Sequence, residues 1–142
     1  MHRRIALDIS NLKKICNTVE VNNNVIKFQL KGPKDSYYED GIWNIRIELS
    51  KEYPYKSPSV GFLTKIYHPN IDYNSGSICL NVLNQTWTPI YNLSHIFSTF
   101  LPQLLLYPNA DDPLNQEAAL IFKTNLDVFK DNINENISIY CK

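Results

Sequence analysis

The sequence predicts an α+β fold: an N-terminal helix, a four-stranded antiparallel meander, a long irregular loop and then three helices. Three observations carry this. Apolar residues recur at helical spacing near the start of the chain and again after Leu93. Between Val19 and Leu49 the period falls to two. Turn-forming clusters punctuate that alternating stretch, so consecutive strands are expected to pair through short connections.

Arg3 to Ile15 reads as the first helix, with Ile5, Ile9, Leu12 and Ile15 near the helical period and Arg3, Arg4, Lys13 and Lys14 on the remaining surface. Val25, Ile26, Phe28 and Leu30 form a β-type run, preceded by a turn at Asn22-Asn23-Asn24 and ended by Gly32-Pro33-Lys34-Asp35. Ile42, Trp43, Ile45, Ile47 and Leu49 form the next, and Asp40-Gly41 before it suits a hairpin turn. Ser59 to Leu63 makes a short further strand after the rigid Tyr53-Pro54-Tyr55-Lys56-Ser57-Pro58. No convincing strand follows the loop that leads to Cys79. Leu93 to Leu106 reads as a helix capped by Asn92, with Pro102 inside it expected to cost stability or introduce a kink. Leu114 to Lys123 and Leu126 to Tyr140 complete the set.

At 142 residues the chain is expected to form one domain spanning 1–142, burying roughly 70% of the surface of its unfolded form. Hydrophobic residues at 44% and charged residues at 20% describe an ordinary globular protein. Formal net charge is zero, so no overall field favours nucleic acid or anionic lipid. The N-terminus lacks an apolar core and cleavage site of the secretory kind, and no run reaches the ~20 apolar residues of a membrane span. Cys16, Cys79 and Cys141 are widely spaced, odd in number and without CxxC pairing. Neither a disulfide framework nor a metal site is expected, and a reducing cytoplasm or nucleus is the natural setting.

The most informative stretch runs from His68 to Trp87. It opens on His68-Pro69-Asn70, bends through Asn74-Ser75-Gly76-Ser77 and presents Cys79 just past that turn. An unpaired cysteine is commonly a buried, inert small residue; one beside a turn near solvent can be a nucleophile. A hydrolase would need a histidine base, and His68 and His95 are the candidates. His68 precedes a proline and is better suited to bonding the local backbone, while His95 falls on a helix. Neither sits in a protease signature.

These motifs resemble the ubiquitin-conjugating enzymes, and the resemblance extends along the chain. His68-Pro69-Asn70, Gly76-Ser77-Ile78-Cys79-Leu80 and Trp87 are similar to that family's active-site segment. Tyr53-Pro54-Tyr55-Lys56-Ser57-Pro58 resembles its YPFKxP loop, and Gly32-Pro33 with Tyr37-Tyr38-Glu39-Asp40-Gly41-Ile42-Trp43 resembles its GPxxxPYxGGxF segment. Tyr107-Pro108-Asn109 through Asp111-Asp112-Pro113-Leu114-Asn115 resembles its PNPxDPLN loop. Within the family, Lys56 to Phe62, Asn84 to Thr88 and Phe100 to Leu105 are most similar to the histone-ubiquitinating, GID/CTLH-partner branch. Members of that branch often carry an acidic C-terminal tail, which the residues up to Lys142 do not show.

The resemblance implies a UBC-like fold and a thioester relay. Cys79 would accept ubiquitin from an ATP-consuming activating enzyme and pass it to a substrate lysine or a ligase. Lack of a paired histidine suits a carrier, because no base is then poised to activate water against the thioester. Asn70 corresponds to the family position proposed to bind the oxyanion, with bracing of the loop as the competing role. Asp112 corresponds to the acidic gate for the incoming lysine, Asp111 being its neighbouring alternative. Asn81 departs from the family's common Asp, which removes a second carboxylate from the lysine path. His68, Pro69 and Trp87 read as structural. Arg3, Arg4, Tyr55, Pro89 and Ile90 correspond to the surface offered to the activating enzyme and RING-type ligases, and a GID/CTLH-like ligase is the branch expectation. His95, Ser98 and Thr99 correspond to the face against which donor ubiquitin folds back. The implied protein is a monomer that binds no cofactor, no metal, no nucleic acid and no membrane. The alternatives are a conjugating enzyme for a ubiquitin-like modifier and a non-catalytic ubiquitin-binding scaffold.

Overall fold

The computed structural model describes residues 3–78 and 80–141, and the side chains of all of these except 80–82. Helix α1 (Arg3–Ile15) leads into strands β1 (Glu20–Asn22), β2 (Val25–Lys31), β3 (Ile42–Glu48) and β4 (Ser59–Phe62). They pair antiparallel in the order β1-β2-β3-β4, a plain meander. Alternation decides which face is inside: Ile26 pairs with Ile47, Phe28 with Ile45 and Leu30 with Trp43, all buried. Ile45 and Ile47 continue the inner face across to Phe62 and Val60.

The tight hairpin lies at Asn23-Asn24, between paired Asn22 and Val25, with Asn23 in the left-handed region at φ 54°. Asparagine tolerates that region better than most residues. Asp40-Gly41 instead closes a longer connection, because β2 and β3 pair only as far as Lys31 and Ile42. The Gly32 amide donates to the Gly41 carbonyl across its base, and the loop between folds over Tyr38, which is fully buried.

Helix α2 (Leu80–Thr86) occupies a stretch whose Asn, Gln and Thr residues gave no helical signal. Tertiary contact overrides that weak propensity: Leu83 and Trp87 are buried, and the Trp87 amide donates to the Leu83 carbonyl. Helix α3 (Leu93–His95) is capped as expected, the Asn92 side chain accepting from the His95 amide. It runs into a π-helical turn (Ile96–Phe100) and then α4 (Leu101–Leu106). The Leu101 amide bonds five residues back, to Ile96. Pro102 follows at once; it has no N–H and crowds the carbonyl four residues before it, so the wider turn takes up the disruption expected of it. Helices α5 (Gln116–Thr124) and α6 (Leu126–Tyr140) begin on Asn115 and Asn125, whose side chains accept from Ala118 and Val128. Leu114 therefore belongs to the preceding loop.

The core forms where Leu12, Leu93, Ile96, Leu101, Leu105, Phe129 and Ile133 meet the inner sheet face. Phe28 and Phe97 pack edge to face at 5.3 Å. No helix among the described residues is long and apolar enough to cross a membrane.

Candidate active site

The chain leaving β4 is pinned before it reaches the site. The Trp43 indole donates to the Lys65 carbonyl at 3.3 Å and the Tyr38 hydroxyl to the Tyr67 carbonyl at 2.6 Å. His68 is fully buried, its ring 5.4 Å from that of Tyr38. Its Nε2–H donates to the Leu104 carbonyl at 2.8 Å, so Nδ1 is the acceptor for the Asn70 amide at 2.9 Å. Burial lowers its pKa to about 4, against the weaker raising effect of the Leu104 carbonyl. Both ring nitrogens are occupied in a neutral tautomer. His68 is a brace for its own loop.

Pro69 and Asn70 tie that loop to the segment before α5. The Pro69 carbonyl accepts from the Leu114 amide at 2.9 Å and the Asn115 amide at 3.0 Å. Asn70, 8% exposed, donates from Nδ2 to the Asn109 carbonyl at 2.8 Å and accepts from the Asn109 amide at 2.9 Å. Four hydrogen bonds thus hold the His-Pro-Asn tripeptide to both ends of the loop that carries Asp111 and Asp112. Asn109 itself also accepts from the Asp111 amide. Within this loop Asp112 is exposed and left-handed at φ 53°. The sequence shows the two motifs but not that Asn109 joins them; its signal is its place in the Tyr107-Pro108-Asn109 motif.

From Ile71 the chain folds back along β4. Asp72 accepts from the Ser75 hydroxyl and amide, which hold its carboxyl below the ordinary range. Gly76 adopts φ 74° and its carbonyl accepts from the Phe62 amide at 2.8 Å. A Cβ there would lie 1.8 Å from the Phe62 carbonyl oxygen, so glycine is required by both conformation and space. Bridges Gly61–Ser77 and Ile71–Ile78 complete the return. Cys79 lies outside the described residues, as does the side chain of Asn81. Cys16 is buried and Cys141 half-buried, both free. Among the described residues no group of three His, Cys, Asp or Glu side chains could hold a metal ion.

Trp87 closes the far end of the stretch, its indole donating to the Pro54 carbonyl at 2.8 Å. Tyr55 and Ile90 stand out at 79% and 84% exposure, with Pro89 and Arg3 also exposed. Arg4 is different: its guanidinium is spent within the molecule on Asp8 and on the Pro89 and Tyr91 carbonyls. His95 is half-buried and stacks on Tyr91 at 4.3 Å. Ser98 is exposed but donates back to the Ser94 carbonyl, and Thr99 is half-buried on the same π turn.

The family model described as ubiquitin-conjugating enzyme matches residues 4–137. The chain belongs to the ubiquitin-conjugating enzyme family. Ubiquitin-conjugating enzyme E2 5 of Arabidopsis thaliana is 50% identical over 143 aligned positions, covering 99% of this chain and 77% of that protein. Ubiquitin-conjugating enzyme E2-24 kDa of Saccharomyces cerevisiae is 46% identical, covering 97% of this chain and 65% of its own length. Among solved structures, the E2 domain of a Toxoplasma gondii ubiquitin conjugating enzyme superposes with a TM-score of 0.88 at 25% identity, over 98% of each chain. A ubiquitin-conjugating enzyme is a transferase that forms a thioester with ubiquitin, and the family works with an activating enzyme, ligases and protein substrates.

Proposed function

We propose that this chain carries ubiquitin as a thioester on Cys79 and delivers it, with a ligase, to a substrate lysine. The observation that supports this best is the latch between His68-Pro69-Asn70 and the Asn109–Asn115 segment. It holds at one place the two motifs that the chemistry needs, one leading to the cysteine and one bearing the acidic gate. The neutral, fully bonded His68 favours a carrier over a hydrolase, since it cannot deprotonate a thiol or a water. A thiol without a histidine partner also keeps the intrinsic nucleophilicity that a strongly depressed pKa would cost.

In this reading Asn70 acts first as a brace, through its exchange with Asn109. Its Nδ2 carries a second hydrogen, which is the donor an oxyanion contact would use. Asp112 accepts a proton from, and positions, the attacking amine; a carboxylate alone stabilises the ammonium, so desolvation at the site has to oppose it. Asp111 is the alternative. Tyr55, Pro89 and Ile90 dock the activating enzyme and a RING-type ligase, for which the branch resemblance favours a GID/CTLH-like assembly. His95, Ser98 and Thr99 face the donor ubiquitin. No cofactor is needed, because ATP is consumed upstream. The chain works as a single domain in cytoplasm or nucleus.

Incubation with activating enzyme, ATP and ubiquitin is expected to yield an adduct that reducing agent removes. An adduct formed only with a ubiquitin-like protein would contradict the choice of modifier.

A further inference from the structure

Arg4 lies where three segments converge. On its own helix, Nε pairs with Asp8 at 2.8 Å. Across the fold, Nη1 donates to the Pro89 carbonyl at 2.8 Å and Nη2 to the Tyr91 carbonyl at 2.5 Å. The guanidinium also sits 5.8 Å from the centre of the Tyr53 ring. Asp8 is 3% exposed and accepts the Tyr53 hydroxyl as well, at 2.5 Å. Tyr53, itself 2% exposed, contacts Trp87, and Trp87 contacts Tyr91. The Trp87 indole returns to the Pro54 carbonyl.

Apart from the Arg4–Asp8 pair within α1, each of these bonds ends on one of two irregular segments. One carries Tyr55 and the other carries Pro89 and Ile90, so neither has a strand ladder to fix it. We infer that Arg4 is a positioning residue: with Asp8 and Tyr53 it sets Tyr55 and Ile90 in register for protein partners. This rests on the reading of those exposed residues as a docking surface. A guanidinium suits the task because its planar fork offers donors in several fixed directions, which an ammonium on a flexible stem does not. Asp8 needs it too, since a buried carboxylate deprived of its cation is costly.

Tyr53→Phe and Arg4→Lys test the inference. The first removes a buried hydroxyl that no partner can touch; the second keeps the positive charge and loses the fork. In charging by the activating enzyme, both are expected to raise the KM for this chain by at least about threefold while kcat stays within about twofold. Wild-type KM for Arg4→Lys would mean that Arg4 supplies charge alone and would overturn the inference. A fall in kcat at unchanged KM would do the same. Amide hydrogen exchange gives a readout independent of charging. It is expected to quicken in both variants at residues 53–57 and 89–91 together. Unchanged exchange there would overturn the clamp even if charging followed expectation. Faster exchange in a chain that ubiquitin cannot charge would sustain the clamp and discard the functional reading instead.

Discussion

Asn70 and Asn109 exchange two hydrogen bonds, side-chain amide to backbone carbonyl and backbone amide to side-chain carbonyl, at 2.8 and 2.9 Å. Thirty-nine positions separate them in the chain, and each lies in an irregular segment outside any strand or helix. A carboxamide can satisfy the backbone N–H and C=O of one residue together, which neither a carboxylate nor a hydroxyl can do in the same geometry. This pair and the Pro69 carbonyl turn two remote loops into one site.

Replacing Asn70 by Asp keeps the shape and removes the donor, setting an oxygen against the Asn109 carbonyl. Leaving buried groups unpaired costs about 1–3 kcal/mol each. Chemical denaturation of Asn70→Asp is expected to show a loss of that order, with unchanged slope against denaturant. A stability equal to wild type would mean that the pair does not hold the loops.

His68 supplies a pH dependence of known sign. Its folded pKa of about 4 lies below the ordinary value of 6.5, so between those values the unfolded chain binds the extra proton. Its contribution is fully present above about pH 6.5 and is lost as the pH falls toward 4, for a total on the order of 3 kcal/mol. NMR titration of the His68 ring is expected to show no protonation above about pH 5 while the fold persists. A ring that titrates near 6.5 would contradict its burial as a neutral brace.

Much of the frame behind these residues is legible in the sequence, because periodicity reports burial directly. Ile26, Phe28 and Leu30 alternate, and their partners across the sheet do too. Asn92, capping α3, is visible for the same local reason. What is missed depends on contacts distant in the chain. Helix α2 has weak propensity and is held by Leu83 and Trp87 against the core. Asp40-Gly41 looks like a hairpin turn, yet the buried Tyr38 forces a longer excursion before β3 can pair. Arg4 reads as a surface base among other bases, since nothing local reveals the carbonyls of Pro89 and Tyr91. At the site, the motifs are readable and the bonds joining them are not.

Gly76 is a sharp case of a local requirement. Alanine there meets a left-handed penalty of roughly 1–2 kcal/mol before any clash with the Phe62 carbonyl. Gly76→Ala is expected to lower thermal stability by at least that amount and to speed exchange of the Phe62 amide, whose acceptor is the Gly76 carbonyl. An Ala variant as stable as wild type would show that the turn has another conformation available.

Asp112 calls for a variant that respects its backbone. At φ 53° alanine adds strain, whereas asparagine tolerates the region and removes only the charge. Asp112→Asn is expected to charge normally, melt within a degree or two of wild type, and discharge ubiquitin to free lysine about tenfold more slowly. Equal discharge rates would remove Asp112 from the proposed gate and direct attention to Asp111.

Cys79, and neither Cys16 nor Cys141, is the residue proposed to hold the ubiquitin. Intact-mass analysis of the charged chain, with Cys79→Ala and Cys79→Ser beside wild type, tests this most directly. Wild type is expected to gain one ubiquitin that thiols remove, Cys79→Ala none, and Cys79→Ser an ester that thiols leave in place. A thiol-sensitive adduct that persists in Cys79→Ala would contradict the account, because the acyl group would then sit on another cysteine.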